Sequence, residues 1–311
     1  MLVVAALGGN ALLRRGETVD AATQRRNVAA AAGALAGIAT AHRLVVTHGN
    51  GPQVGLLALQ SEAYGAVAPY PLDLLGAESE GMIGYLIDQE LQNLLPARQV
   101  ATLLTQVEVA PDDPAIRQPD KPIGPVYDDA TAERLGRERG WTMIADGDGF
   151  RRAVPSPQPR RIVELTTIRL LLEADVLVVC CGGGGIPVVA TADGGWRGFE
   201  AVVDKDATSA LLAAELGADV LLLLTDVAGV WTDWRTPAAR LLRRAGPDAL
   251  RELTFPPGSM APKVAAACHF VEQTGGRAVI GAPTDAADML DGTAGTQILP
   301  DQVLGWDEPA G

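Results

Sequence analysis

Lysine is almost missing from this chain. Of 25 basic residues, three are lysines, Lys121, Lys205 and Lys263, and the rest are arginines. Aromatic residues are scarce too, at 4%. That leaves little stock for the ring-on-ring core of a sandwich, whereas the dominant Ala, Val, Leu and Gly suit helices packed closely on a sheet. There are three cysteines, an odd number with two of them adjacent, which argues against a disulfide framework and fits a reducing cytoplasm. The three histidines, His42, His48 and His269, have no metal-ligand spacing with one another or with cysteine. Positive charge is short overall: a formal charge of −13 repels a phosphate backbone and excludes a broad nucleic-acid surface. The opening "MLVVAALGGN" has no basic segment before its apolar run, so it does not read as a secretory signal. The Ala-rich stretch in "RRNVAAAAGALAGIATAHR" is too short for a membrane span. The expectation is a cytoplasmic protein acting on small molecules, with no nucleic acid and no membrane as partner.

What is present is an alternation of strands and helices. Apolar runs at Leu2–Leu7, Arg43–Thr47, Ala174–Cys181, Ala218–Thr225 and Arg277–Ala282 read as buried parallel strands. Helical segments are expected at 21–41, 77–95, 162–174, 206–217 and 261–274. This alternation predicts an α/β fold, a three-layer αβα sandwich around a central, mostly parallel sheet, over a single domain spanning 1–311. Residues 110–160 differ. They hold eight of the 21 prolines and, apart from a short polar helix near Asp129–Arg139, show no strong alternation. Ile116, Ile123, Val126, Tyr127, Trp141 and Ile144 supply apolar anchors, so the segment reads as an inserted, protruding subdomain that serves as a lid or binding element.

Four glycine-bearing loops follow four of the strands: Gly8-Gly9-Asn10, Gly49-Asn50-Gly51, the run Gly182 to Gly185, and Asp226-Val227-Ala228-Gly229. Ligands of open α/β sheets bind beyond the carboxyl ends of the strands, so all four loops belong on one functional edge. Glycine there lets backbone N–H groups approach an anion. A strand-to-helix turn favours glycine anyway, and for one loop that reading is sufficient; four such loops together point to anion binding. There is no G-x-x-x-x-G-K-[ST] motif, and "GGGGIP" runs on into Pro187-Val188-Val189 without opening a helix. The cations for any phosphate must therefore come from separate parts of the chain.

The lysines meet that need. Lys121 lies in "PDKPIGP", Lys205 in "DKD" where a strand gives way to a helix, and Lys263 in "PPGSMAPK" at a helix start. A lysine is ordinarily a surface residue, yet these three fall in Gly/Pro/Asp-rich junctions and none on a polar helix face. A compact ammonium on a flexible stem can follow a moving phosphoryl group, whereas the guanidinium fork favours fixed bidentate geometry. Asp206 would orient the lysines or, equally, serve as a plain helix cap. His48 reads as a structural residue of its loop, Cys180 and Cys181 as small apolar packing residues. No G-x-S-x-G elbow is present.

Taken together, "VVAALGGNALL", "VVTHGNGPQVG", "KPIGP", "RRAVPSPQP", "CCGGGGIPVV", "AVVDKDATS" and "GSMAPKVAAA" resemble the carbamate kinases of the amino-acid kinase superfamily, in order from Leu2 to about Ala267. The resemblance implies a homodimer and the reversible reaction ATP + carbamate ⇌ ADP + carbamoyl phosphate, with Mg2+ accompanying the nucleotide. It implies catalytic roles for Lys121, Lys205, Asp206 and Lys263. Gly8, Gly9, Asn10, Gly49, Asn50 and Gly51 match the loops of the carbamate and phosphoryl site. Gly183, Gly184, Thr225, Asp226, Val227, Gly229 and Met260 are expected on the nucleotide side. Arginine, agmatine or purine breakdown would each supply the substrate. Two other readings stand beside this one: a kinase of the same fold acting on another small carboxylate or phosphonate, and a non-catalytic sensor of nucleotide or carbamoyl phosphate.

Overall fold

Alternate residues along the apolar strands face two different cores. In the first strand Val4 and Ala6 pack on one side, and Val3, Ala5 and Leu7 on the other. With no face left for water, the strands read as continuous apolar runs and not as alternating ones. The structure, a computed structural model, describes residues 1–13, 16–234, 236–255 and 260–307, with side chains at 10 and 11 excepted. The principal strands are β1 (Leu2–Leu7), β2 (Arg43–His48), β3 (Val100–Thr102), β4 (Lys121–Tyr127), β5 (Leu177–Val179), β6 (Val220–Leu224) and β7 (Arg277–Gly281). The principal helices are α1 (Ala21–Ala41), α2 (Gly51–Ala63), α3 (Leu72–Leu94), α4 (Lys205–Leu216) and α5 (Met260–Thr274).

Six strands run parallel in the order β7-β6-β1-β2-β5-β3. Beyond β7 the sheet continues through Thr296–Ile298, Arg240–Ala245 and Val230–Thr232, with Gly305–Trp306 on the side. Those outer pairings are partly antiparallel. α1 and α3 cover one face, with Leu35, Ala39, Ile83, Ile87 and Leu91 in its core. α4 and α5 cover the other, with Leu212, Ala213, Ala267 and Phe270. The three layers expected from the strand–helix alternation are present. No helix among the described residues is long and apolar enough to cross a membrane.

Boundaries shifted for local reasons. α3 starts at Leu72, five residues ahead of the expected 77. Pro71 precedes it, the Glu200 carboxylate accepts the Leu72 N–H at 2.8 Å, and Leu72 and Leu75 are buried. Ile162 ends a strand (Pro159–Ile162), and the helix expected from it begins at Leu165. α2, which was not anticipated, starts directly out of the Gly49–Gly51 loop with Pro52 in its first turn, where a missing N–H costs nothing.

The proline-rich segment is more regular than its sequence. β4 pairs antiparallel with Gly149–Val154, which pairs with Thr142–Asp146, and the helix Asp129–Arg139 lies between them in the chain. Pro122 and Pro125 fall in β4, an edge strand of this three-stranded sheet, a position where a lost donor is tolerated. A second, four-stranded sheet joins Gln106–Val109 and Pro159–Ile162 to Ile186–Ala190 and Trp196–Gly198. β4 is seated on α2 so closely that a Cβ at Gly55 would stand 1.9 Å from the Cα of Gly124. Backbone meets backbone there, and only glycine permits it.

The chain leaves β1 towards β2 and leaves β6 in the opposite sense, towards β7. The reversal between β1 and β6 is the crevice where open α/β sheets bind ligands.

Candidate active site

Asp206 lies in the first turn of α4, 3% exposed, between two ammonium groups. Its Oδ1 accepts from Lys205 Nζ and its Oδ2 from Lys263 Nζ at 2.9 Å. Lys205 comes from α4 and Lys263 from α5, and packing of those two helices on one sheet face brings the charges together. Burial alone would raise the carboxyl's pKa, but the two lysines override it and hold it far below the usual range. Burial, opposed by Asp206 and reinforced by Lys263, brings Lys205 down to about 8.

Asp206 is not the helix cap. That role belongs to Asp204, whose Oδ1 accepts the N–H groups of Asp206 at 2.9 Å and Ala207 at 3.1 Å. Its Oδ2 holds Lys121 Nζ, delivered by the start of β4. All three lysines therefore reach one cleft of about 860 Å³, and each is met there by an aspartate. Serine and threonine fix the turn that presents Lys205: Ser209 Oγ donates to its carbonyl and pairs with Thr47 Oγ1 of β2, and Thr208 Oγ1 donates to Gly184 O.

Gly9, Gly49, Asn50, Gly51 and Gly183 line the same cleft. Backbone hydrogen bonds correct one expectation about them. The N–H groups of Gly8 and Gly49 continue the sheet ladder, to Leu224 O at 2.9 Å and Leu7 O at 3.0 Å, and are not free to hold a substrate. These two glycines matter for what they lack. A Cβ on Gly8 would lie 2.8 Å from Leu224 O, and one on Gly49 would stand 3.1 Å from Gly9 N. Gly9 and Gly51 open helices, where N–H groups have no intrahelical acceptor. The side chain of Asn50 is a buried strut, donating to Ser79 Oγ at 2.8 Å and filling the space beside Gly183. The side chain of Asn10, and Gly258 and Ser259 of the "GSMAPK" motif, lie outside the described residues.

The expected nucleotide residues are less gathered. Gly184 (φ +94°) packs on the Val203 carbonyl. Thr225, Asp226, Val227 and Gly229 follow β6 at the crevice beside β1, and Met260 begins α5; none of these lines the lysine cleft. Thr225 N–H is bonded to Gly281 O, and Gly229 is packed against Thr296.

Two residues of α3 matter that the motif reading passed over. Ser79 receives Asn50. Glu80, 1% exposed, accepts the Gly182 N–H at 2.8 Å and the Thr105 N–H at 3.2 Å. Its position was marked in the sequence: Glu80 shares the buried stripe of Ile83, Ile87 and Leu91, where an acid needs a reason. Thr105 Oγ1 accepts the N–H of Cys181, which has φ +52°. Together these side chains pin the turn after β5. Burial holds His48 neutral, down to about 4, with Nδ1–H directed to Gly49 O at 3.1 Å. Its neighbour Cys180 and burial push the Cys181 thiol well up. Both side chains are fully buried.

A fold with four glycine loops on one sheet edge and lysines from three chain segments narrows the field, and the family comparison decides it. The family model described as "Amino acid kinase family" matches residues 1–282. The chain belongs to the amino acid kinase family. A curated carbamate kinase of Haemophilus influenzae is 53% identical over 299 residues, covering 96% of each chain. One from Pyrococcus furiosus is 46% identical over 96% of this chain and 99% of its own. The solved carbamate kinase from Giardia lamblia bound to AMP-PNP superposes with a TM-score of 0.88 at 39% identity, covering 96% of this chain and 98% of that one.

Glu80 offers a pH test. Burial pushes its carboxyl up to about 8 from an ordinary 4.5, so the folded state holds a proton that the unfolded chain releases. Its stabilising contribution is full below 4.5 and is lost as pH rises towards 8. Glu80→Gln does not titrate. Its melting temperature relative to the unsubstituted protein is expected to rise between pH 5 and pH 8; parallel melting curves across that range would contradict the assignment.

Proposed function

We propose that this chain catalyses reversible phosphoryl transfer between ATP and carbamate, giving ADP and carbamoyl phosphate. The observation that carries the reading is the pairing of Lys205 and Lys263 on Asp206, with Lys121 in the same cleft, in a chain 53% identical to a carbamate kinase.

Carbamate is already an anion, so its oxygen needs no general base. The obstacle is repulsion between the carbamate and the γ-phosphate. Phosphoryl transfer requires in-line positioning and cations aimed at spreading charge. Lys205 and Lys263, held on Asp206, meet the nucleotide phosphates and the group in flight. Lys121 enters from the subdomain, at the start of β4. The N–H groups of Gly9, Asn50 and Gly51 face the anionic acceptor; Gly8 and Gly49 give it room. The nucleotide base is assigned to the side of β6, near Thr225–Gly229 and Met260, with Gly183 and Gly184 at the boundary. Mg2+ would accompany the nucleotide and supply neutralising charge to its phosphates; Asp204 and Asp206 are already engaged by lysines. Carbamoyl phosphate is a mixed anhydride, so the favoured direction is ATP formation.

Residues 1–311 form one kinase domain, and 110–160 act as its lid. The reading includes a cytoplasmic enzyme, which three free, buried cysteines suit, and a homodimer. Two adjacent features support the dimer: β3 is the last strand on its side of the sheet, and Leu74, Met82 and Tyr85 of α3 are exposed beside Leu104. A second copy of this chain would cover both. Sedimentation equilibrium is expected to give twice the chain mass, and Tyr85→Asp to lower it; a monomer at micromolar concentration would contradict this.

The direct test is ATP formation from carbamoyl phosphate and MgADP in a coupled assay. Lys205→Arg and Lys263→Arg, with folding checked by circular dichroism, are expected to lose about a hundredfold or more in kcat. The larger, planar guanidinium fork cannot track a moving phosphoryl group as the compact ammonium does. Near-normal turnover in both variants would overturn the role given to the lysines, and absence of any ATP formation by the unsubstituted protein would overturn the reaction.

A further inference from the structure

Asp206 has no oxygen left for the third lysine. Its Oδ1 is taken by Lys205 and its Oδ2 by Lys263. Lys121 is met by a different carboxylate, Asp204, which divides its own oxygens between two tasks. Oδ1 caps α4 through the N–H groups of Asp206 and Ala207, and Oδ2 pairs with Lys121 Nζ. The two residues are 83 apart in the chain, one on the sheet body and one at the start of the subdomain strand β4. Both line the cleft. Exposure separates the two ion pairs. The Asp206 side chain is 5% exposed, whereas Asp204 and Lys121 are 19% and 31% exposed, open to an incoming anion.

We propose that Asp204 is the resting counter-ion of Lys121, occupying the ammonium until the transferring phosphoryl group displaces it and receiving the lysine back as product leaves. Asp204 is a positioning residue: it acts on the substrate through Lys121. The inference rests on the reading of Lys121 as a phosphoryl-binding lysine. A partly exposed ion pair contributes little to stability, so the pair does little to hold the fold together. Its effect falls on the substrate. A fixed carboxylate beside the phosphoryl position competes for Lys121 and repels the anion, and both effects weaken binding. Charge lining the cleft is then closely matched, Lys121, Lys205, Lys263 and Arg151 against Asp120, Asp204 and Asp206, before substrate adds its own. A site that gripped phosphate with three unopposed ammonium groups would release product slowly.

Asparagine separates the two tasks of Asp204. Its carbonyl oxygen keeps the cap, while the anion facing Lys121 is removed. Asp204→Asn is expected to melt within about 2 °C of the unsubstituted protein, whereas Asp204→Ala, which loses the cap, melts lower. Asp204→Ser, also a capping residue, is the second variant should the first fail to fold. The probe is inorganic phosphate, titrated calorimetrically so that no turnover is needed. Asp204→Asn is expected to bind phosphate about fivefold or more tightly than the unsubstituted protein. The gain is expected to be smaller when the same substitution is made in a Lys121→Ala background, because only the repulsion is then relieved. Unchanged or weaker phosphate binding in Asp204→Asn overturns the proposal, as does a gain equally large without Lys121. A different result bears on the underlying reading: Lys121→Ala binding phosphate as tightly as the unsubstituted protein, and turning over normally, would remove Lys121 itself from the site.

Discussion

One carboxylate between two ammonium groups sets the geometry of this molecule's working end. Asp206 is almost wholly buried, and an unpaired charge there would be strongly destabilising. It is tolerable because Lys205 and Lys263 each take one of its oxygens. The dependence runs both ways, since two ammonium groups this close would repel each other without the carboxylate between them. Helices α4 and α5 must therefore lie side by side on one sheet face, and the first turn of α4 must start at a fixed height above β1 and β2. The hydroxyls of Ser209, Thr47 and Thr208 and the cap from Asp204 hold that height.

The arginine bias of the chain becomes intelligible at this point. A guanidinium is a broad, flat donor array with its donors fixed in a fork, so it does not reproduce the place of a compact ammonium between Asp206 and a moving phosphoryl group. The ammonium can meet both. The overall charge of −13 is no obstacle, because the cleft carries its own local cations at the end of a low-dielectric core. The glycines complete the arrangement by absence. Gly8 and Gly49 let three strand ends approach so closely that no side chain fits, while their own N–H groups stay in the sheet ladder.

Much of this was legible in the sequence, for reasons that can be named. Continuous apolar runs betrayed strands buried on both faces. The rarity of lysine marked three segments that folding brings to one cleft. What stayed hidden depended on contacts between distant parts of the chain. Asp204 and Asp206 are two residues apart at a helix start, and nothing local says which one caps and which one pairs. Glu80 sits on an apolar helix stripe, a visible anomaly, but its partners Gly182 and Thr105 come from the turns that follow β5 and β3. The short strands around β4 were masked by prolines that an edge position tolerates. Which N–H groups are already engaged by the sheet is a property of the strand register alone.

The central claim is that Asp206 organises the two lysines that meet the phosphoryl group. The most direct measurement is the kcat of Asp206→Asn for ATP formation from carbamoyl phosphate and MgADP, with the fold verified by circular dichroism. The account predicts a fall of about a hundredfold or more in a folded protein, because the ammonium groups lose the anion that spaces them. A folded Asp206→Asn protein turning over within a few-fold of the unsubstituted enzyme would contradict it.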